Sequence, residues 1–164
     1  MNWFLSINYL FHLIATVILL GSLAGVVGLA WPALSKGELD QNQWIAIQRK
    51  LLPWANGSLV ILLLSGFYQM TNDPNYGGFF VLDGVWAWAM LFKHVAYAGM
   101  VGVTLYLQFV LYPEVGRMQL LASKKPDQSA IHQQSLLNRE KQLLKINFLC
   151  AVMVLVFTAI MTAI

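Results

Sequence analysis

Charged residues and cysteines are both scarce in this sequence. Of its 164 residues only 10% are charged, whereas 59% are hydrophobic. A soluble domain of this length needs far more polar surface, so the composition indicates a membrane protein. The single cysteine, Cys150, excludes an intrachain disulfide and a metal site built from cysteines. No nucleic-acid-binding motif is present, so the net charge of +3 does not indicate a nucleic-acid partner.

Four apolar runs are each long enough to cross a hydrocarbon core of ~30 Å. They cover about residues 3–31, 54–70, 84–112 and 144–164, and predict one all-α domain over residues 1–164, an integral membrane up-down four-helix bundle in the lipid bilayer. We expect the first run to be a mature helix, because it is too long for a signal peptide and no basic segment precedes it. Pro32 and Pro113 are predicted to end the first and third runs. An interfacial helix is expected within the first loop, around residues 41–51, and a polar helical extension is expected to merge into the fourth run.

The basic residues outside the apolar runs all fall on one side of this bundle. By the positive-inside rule, the first and third loops are therefore predicted to be cytoplasmic, with both termini outside, as in a multi-pass protein of the cell inner (plasma) membrane. The residues concerned are Lys36, Arg49, Lys50, Arg117, Lys124, Lys125, Arg139, Lys141 and Lys145.

Small residues form a stripe on the first run, at Gly21, Gly25 and Gly28. Such a stripe favours close approach of a neighbouring helix. The sequence shows no repeat at a fixed period, although the first and third runs each carry one histidine.

Two histidines lie at matching depth in these two runs. His12 is about nine residues and His94 about ten residues from the same side, so both are ~14 Å deep. Two imidazoles at one depth are the arrangement by which a helical bundle holds a b-type haem through two axial nitrogens. His12 and His94 are therefore the predicted metal ligands. Asn8 and Thr16, one turn from His12 on either side, are expected to accept hydrogen bonds from its ring.

A lone histidine within a membrane is as often a hydrogen-bonding partner of a neighbouring helix as a metal ligand. The match in depth favours a shared site over two separate structural roles. His132 lies in the polar third loop, on the opposite side, and is predicted to be solvated.

Lys93 precedes His94 and borders the same predicted cavity. Its amine can extend toward Asp73, Asp83 or a haem propionate, and Tyr97, one turn further, is expected to donate a hydrogen bond on the lysine side. Methionine side chains in the runs are soft ligands suited to Cu(I), although such methionines more often serve packing. They are Met70, Met90, Met100, Met153 and Met161.

Four segments of the chain resemble a known family. FHLIATVILLGSLAGVVGLAWPAL, RKLLPWANGSLVILLLSGFYQM, WAWAMLFKHVAYAGMVGVTLYLQFVLYP and LNREKQLLKINFLCAVMVLVFTAI are similar to the copper-resistance D (CopD) type membrane domain. The spacing of His12 and Lys93 also resembles that of the HemJ-type protoporphyrinogen oxidases, small four-helix membrane proteins that bind haem. The resemblance implies functional roles for His12 and Lys93. The chain departs from these families in lacking a large multi-helix body, a Met-rich or His-rich outer loop, and a third run rich in tyrosine and histidine.

These observations leave three functional hypotheses. The first is a haem b protein of cytochrome b type with haem binding at His12, His94, Lys93, Asn8 and Tyr97, serving haem handling or electron transport to a quinone or a redox partner protein. The alternative is a CopD-like module that binds or transports copper through His12, His94 and nearby methionines. The third is an accessory subunit of a larger membrane complex or homo-oligomer. The sequence does not decide whether the protein is an enzyme.

Overall fold

The structure, a computed structural model, describes residues 3–78, 81, 83–122 and 126–164, and for residues 41, 42, 118–122 and 126–133 it describes the backbone alone. The described chain is helical and contains no strand. Its elements are α1 (Trp3–Gly25), a first π-helical turn (Val26–Ala30), α2 (Trp31–Ser35), α3 (Gln41–Thr71), α4 (Gly84–Tyr106), a second π-helical turn (Leu107–Leu111), α5 (Tyr112–Ala122) and α6 (Pro126–Thr162).

These elements form four long helices that are apolar enough to cross a membrane. The qualifying stretches are Trp3–Ser35, Gln43–Thr71, Gly84–Arg117 and Gln134–Thr162. α1 packs mainly against α3, and α4 packs mainly against α6, so the bundle consists of two helical hairpins. The predicted all-α fold with four helices of membrane-spanning length is confirmed, and the polar extension before residue 144 does merge into the last helix.

The second helix is longer than the sequence predicted. Asp40 begins it with a reciprocal cap, in which its carboxylate accepts a hydrogen bond from the Gln43 backbone N–H at 2.7 Å and its own N–H donates to the Gln43 side chain at 3.0 Å. The helix then continues through Pro53 to Thr71. The helix predicted around residues 41–51 is therefore present, but it is the first part of the long second helix and not an element of a loop that ends at Pro53.

Pro32 and Pro113 do not end their helices, contrary to the prediction. Each proline instead follows a π-helical turn, at the second residue of α2 and of α5. Proline lacks a backbone N–H, and its ring crowds the preceding turn of a regular helix. A π-helical turn interrupts the regular ladder of i→i−4 bonds just before the proline, which explains how both helices continue.

The first and third long helices share a local pattern at a fixed interval. The π-helical turns begin at Val26 and Leu107, and the prolines that follow are Pro32 and Pro113, so both pairs are 81 residues apart. At the same interval, Lys93 rather than His94 corresponds to His12. The first and third long helices therefore repeat this pair of features, and in this limited sense they are equivalent elements.

The bundle has two ends with different side chains. The Trp3 end contains Trp3, Thr71, Gly84 and Thr162, and the Arg49 end contains Ser35, Arg49 and Arg117. At the Arg49 end the core is built around Trp44, which is 1% exposed and makes an edge contact with Trp31 at 5.5 Å between ring centroids. The Lys141 ammonium lies 4.8 Å from the centroid of the Trp31 ring.

The glycine stripe of α1 makes no close contact with the residues that the structure describes. A Cβ added at Gly21, Gly25 or Gly28 would meet nothing within 4 Å. Close approach instead occurs at Gly66 in α3 and at Gly99 in α4. A Cβ added at Gly99 would lie 3.6 Å from Cys150 Sγ. The stripe was predicted from spacing alone, and spacing does not tell which face of a helix is turned toward its neighbours.

Candidate functional site

A cavity lies toward the Trp3 end, between the two hairpins. Its volume is about 460 Å³. Four of the residues predicted from the sequence line its wall: His12, Lys93, His94 and Tyr97. Met100 lines the same cavity. The cavity thus brings together groups from α1 and α4, the two equivalent helices of the repeat.

The imidazole of His12 is held in one orientation by α3. Its Nδ1 lies 2.7 Å from the Ser65 hydroxyl oxygen, and that hydroxyl donates its single proton to the Ile61 carbonyl at 2.5 Å. The Ser65 oxygen can therefore only accept from the histidine, so Nδ1 carries the ring proton of His12. Nε2 of His12 is left with its lone pair.

The imidazole of His94 has the same tautomer for a different reason. Its Nδ1 lies 2.7 Å from the Met90 backbone carbonyl. A carbonyl only accepts hydrogen bonds, so Nδ1 must be the protonated nitrogen. Both histidines on the cavity wall therefore have Nδ1 occupied and Nε2 available, which is how metal-binding histidines are commonly oriented.

Gly66 allows the His12 ring to lie directly against α3. A Cβ at position 66 would be 3.4 Å from Cε1 of the ring and 4.0 Å from its Nδ1. A larger side chain would extend into the space that the imidazole occupies. Ser65 and Gly66 thus act as a pair, in which one residue bonds the ring and the other leaves room for it.

Lys93 is half-buried in the same wall. The positive charge of Lys93 disfavours a second proton on the His12 ring. The negative charge of Asp73 stabilises the Lys93 ammonium. Asp73 is one of the acidic residues that the sequence predicted as a partner for this amine. The site therefore combines two imidazoles with one amine, whose charge Asp73 stabilises.

Three predicted contacts differ from those in the structure. The Asn8 side-chain oxygen accepts a hydrogen bond at 3.0 Å from Gln69, which itself lines the cavity, and it does not bond the His12 ring. The Thr16 hydroxyl donates to the backbone carbonyl of His12 at 2.8 Å, because a helical threonine reaches the carbonyl one turn earlier. The Tyr97 hydroxyl donates to the Leu59 carbonyl at 2.7 Å, which links α4 to α3 rather than serving Lys93.

The methionines divide between the cavity and the packed core. Met100, 2% exposed, lines the cavity, whereas Met70 and Met90 belong to a hydrophobic cluster with Trp86 at the Trp3 end. Met161 packs against that cluster, and Met153 is 40% exposed. In the described part of the chain, no group of three or more His, Cys, Asp or Glu side chains is placed to hold a metal ion. The side chain of His132 and all of Lys124 and Lys125 lie outside the described residues.

Sequence reasoning missed the roles of Ser65 and Gly66. The signal was present in the segment LSGFYQM, where a serine and a glycine interrupt an apolar helix one turn before its polar end. A second missed group is Glu140, which is 3% exposed at the Arg49 end and accepts hydrogen bonds from Trp44 and Gln48. It lies in a polar stretch of sequence, where nothing singled it out as a buried residue.

Comparison with models of protein families, with curated proteins and with solved structures found no match to this chain. The resemblance to the CopD and HemJ families therefore stays a prediction. The fold and the site define a class: a bundle of two helical hairpins, with four helices of membrane-spanning length and an imidazole–amine cavity between the hairpins.

Proposed function

We propose that this protein is a membrane protein that holds a b-type haem between α1 and α4, with His12 and His94 as its axial ligands. One observation carries the proposal: both imidazoles line a single cavity, and each has Nδ1 hydrogen-bonded so that Nε2 remains for a metal. Axial ligation by two imidazoles needs this combination of an unprotonated nitrogen and a fixed ring.

The membrane setting is part of the same proposal. Four apolar helices fit a bilayer, and every Lys or Arg other than Lys93 lies toward one end of the bundle in the sequence. The positive-inside rule then makes the Arg49 end cytoplasmic and the Trp3 end external, with both chain termini outside. The haem cavity would lie in the external half of the cell membrane.

The remaining wall residues are suited to a haem. A cavity of about 460 Å³ is within the usual range of small-molecule sites, about 300–1,000 Å³. Lys93 supplies a positive charge beside the histidines, where it can pair with a propionate. Apolar side chains, among them Leu19, Leu20 and Leu62, keep water from the iron ligands. A bound haem supplies one-electron chemistry, and we propose a quinone or a redox protein as the electron partner.

A copper-binding function is the second candidate, and Met100 is the observation that favours it. This methionine lies in the same cavity wall as His12 and His94 and is almost fully buried. Two imidazoles and a thioether form a donor set that Cu(I) accepts. The two candidates share their histidines, so metal content and the optical spectrum must separate them.

Optical spectra of the detergent-purified protein, oxidised and then reduced with dithionite, test the proposal. Protein expressed with ample haem supply should show a Soret band and a six-coordinate low-spin spectrum. His12→Ala and His94→Ala should each abolish the low-spin form, because loss of either ligand opens an axial position. His132→Ala, predicted to lie at the opposite end, is the control and should leave the spectrum unchanged.

The two candidate functions give different outcomes. Stoichiometric copper without a Soret band, with copper lost in both histidine variants, would support copper binding and reject the haem. A wild-type protein with neither haem nor copper would reject both.

A further inference from the structure

A second cavity lies at the Arg49 end, apart from the candidate haem site. Its volume is about 240 Å³, and Glu140 of α6 lines it. On the same helix, Val154 lines the first cavity. These two residues are separated by ~21 Å along the helix axis at 1.5 Å per residue. The two cavities are therefore at different depths in the bundle and share no lining residue.

The carboxylate of Glu140 is buried among neutral donors. One oxygen accepts a hydrogen bond from Gln48 Nε2 at 2.6 Å, and the other accepts from Trp44 Nε1 at 3.2 Å. The Tyr112 hydroxyl donates to the Gln48 side-chain oxygen at 2.5 Å and extends this network to α5. In the described part of the chain no basic side chain forms an ion pair with Glu140.

This arrangement leaves the carboxylate incompletely satisfied. A carboxylate has about four lone-pair positions, of which the two neutral donors use two. A buried carboxyl avoids the cost of an unpaired charge either by holding a proton or by pairing with an opposite charge, and a buried pair compensates much of that cost. A cation next to Glu140 would supply both the missing charge and further hydrogen-bond donors.

The rest of the cavity wall indicates the kind of cation. Much of it is apolar, formed by Ile45, Leu52, Pro113, Val115 and Leu137. An inorganic ion needs several oxygen ligands, and in this wall the side-chain oxygens of Gln48 and Gln108 already accept hydrogen bonds from Tyr112 and Asn56. The volume equals roughly that of eight water molecules at ~30 Å³ each, which suits a short organic chain. Arg49 also lines the cavity, but its side chain is exposed. Solvent and salt therefore weaken its attraction to the buried Glu140 carboxylate.

We propose that this second cavity binds a small organic ammonium ion, with the ammonium group paired to Glu140 and the apolar part against the hydrophobic wall.

Calorimetric titration of the purified full-length protein with n-butylammonium tests this site. The wild type should give saturable binding, and 1-butanol, which has the same chain without the charge, should give none. Sodium ions at the same ionic strength should not displace n-butylammonium. Glu140→Gln should weaken binding at least about tenfold, because the ion pair is lost while the side-chain volume is kept. Glu38→Gln, at an exposed acidic residue near the same end, is the matched control and should bind as the wild type does.

A second variant tests the cavity without changing its charge. Gly116 lines the cavity, and an added Cβ there would meet nothing within 4 Å. Gly116→Leu should therefore fill the space without a clash and abolish binding, and in a helix leucine is more favourable than glycine. If Glu140→Gln does not fold, Gly116→Leu still tests the binding site. Equal binding of 1-butanol, competition by sodium, or unchanged binding in Gly116→Leu would each overturn the proposal.

Discussion

The Cβ that Gly66 lacks would lie 3.4 Å from Cε1 of His12, so this position sets how closely α3 approaches the candidate ligand. The neighbouring Ser65 bonds the same ring. A site on α1 is thus positioned by a residue pair on α3, the partner of α1 within the first hairpin.

Enlarging position 66 should displace the imidazole. Gly66→Ala should be tolerated, because 3.4 Å is ordinary van der Waals contact for a Cβ. Gly66→Leu should move the His12 ring and reduce the low-spin haem signal or the bound copper. Gly57→Leu is the matched control in the same helix, since a Cβ there meets nothing within 4 Å. Equal haem and metal content in the two leucine variants would show that Gly66 does not position the ring.

Removing the Ser65 hydroxyl should loosen the ligand without removing it. Ser65→Ala leaves His12 Nδ1 without its acceptor, and loss of such a supporting hydrogen bond typically weakens metal affinity about 10–100-fold. Haem or copper dissociation, followed optically or by competition with a chelator, measures the effect. Ser22→Ala removes a hydroxyl that bonds only a carbonyl of its own helix and should leave affinity unchanged.

Changing Lys93 should alter the haem without removing an iron ligand. Lys93→Ala should retain the low-spin spectrum but shift the reduction potential or loosen binding, because a positive charge beside the propionates is lost. Lys93→Arg keeps the charge and should behave more like the wild type in a redox titration. Complete loss of the low-spin form in Lys93→Ala would instead assign this amine, the equivalent of His12 in the repeat, to the iron.

Trp44 should contribute to stability through the buried carboxylate. Trp44→Phe removes the indole donor to Glu140 and leaves a buried oxygen unsatisfied, which costs about 1–3 kcal/mol. Thermal unfolding in detergent should therefore begin at a lower temperature than in the wild type. Trp54→Phe, at a side chain that is 64% exposed, should have little effect. Equal unfolding temperatures for both variants would mean that the Glu140 network does not stabilise the fold.

Topology can be tested by reporter fusions. A reporter after Ile164 should be external, and one fused after Gly37, in the short loop between α2 and α3, should be cytoplasmic. A cytoplasmic signal after Ile164 would place the basic end outside and contradict the proposed orientation.

Much of the fold could be predicted from the sequence, because hydrophobic run length alone defines helices that can cross a bilayer. Helix ends were predicted less accurately: Pro32 and Pro113 were expected to end their helices, but each follows a π-helical turn, and the second long helix begins at a capping box and continues through Pro53. At the site, His12 and His94 line one cavity, as their matching depth indicated, while their role as metal ligands stays a prediction. Ser65 and Gly66 were not predicted, since a partner across helices depends on helix rotation, which the sequence pattern did not give.

The division into two hairpins has a consequence for the order of assembly. Contacts within each hairpin join segments close in sequence, so α1 with α3, and α4 with α6, can form early and at little entropic cost. The cavity of His12 and His94 exists only after the hairpins associate. Association of the two halves is therefore the step that creates the ligand pair, and a bound cofactor would favour the joined state over the separate hairpins.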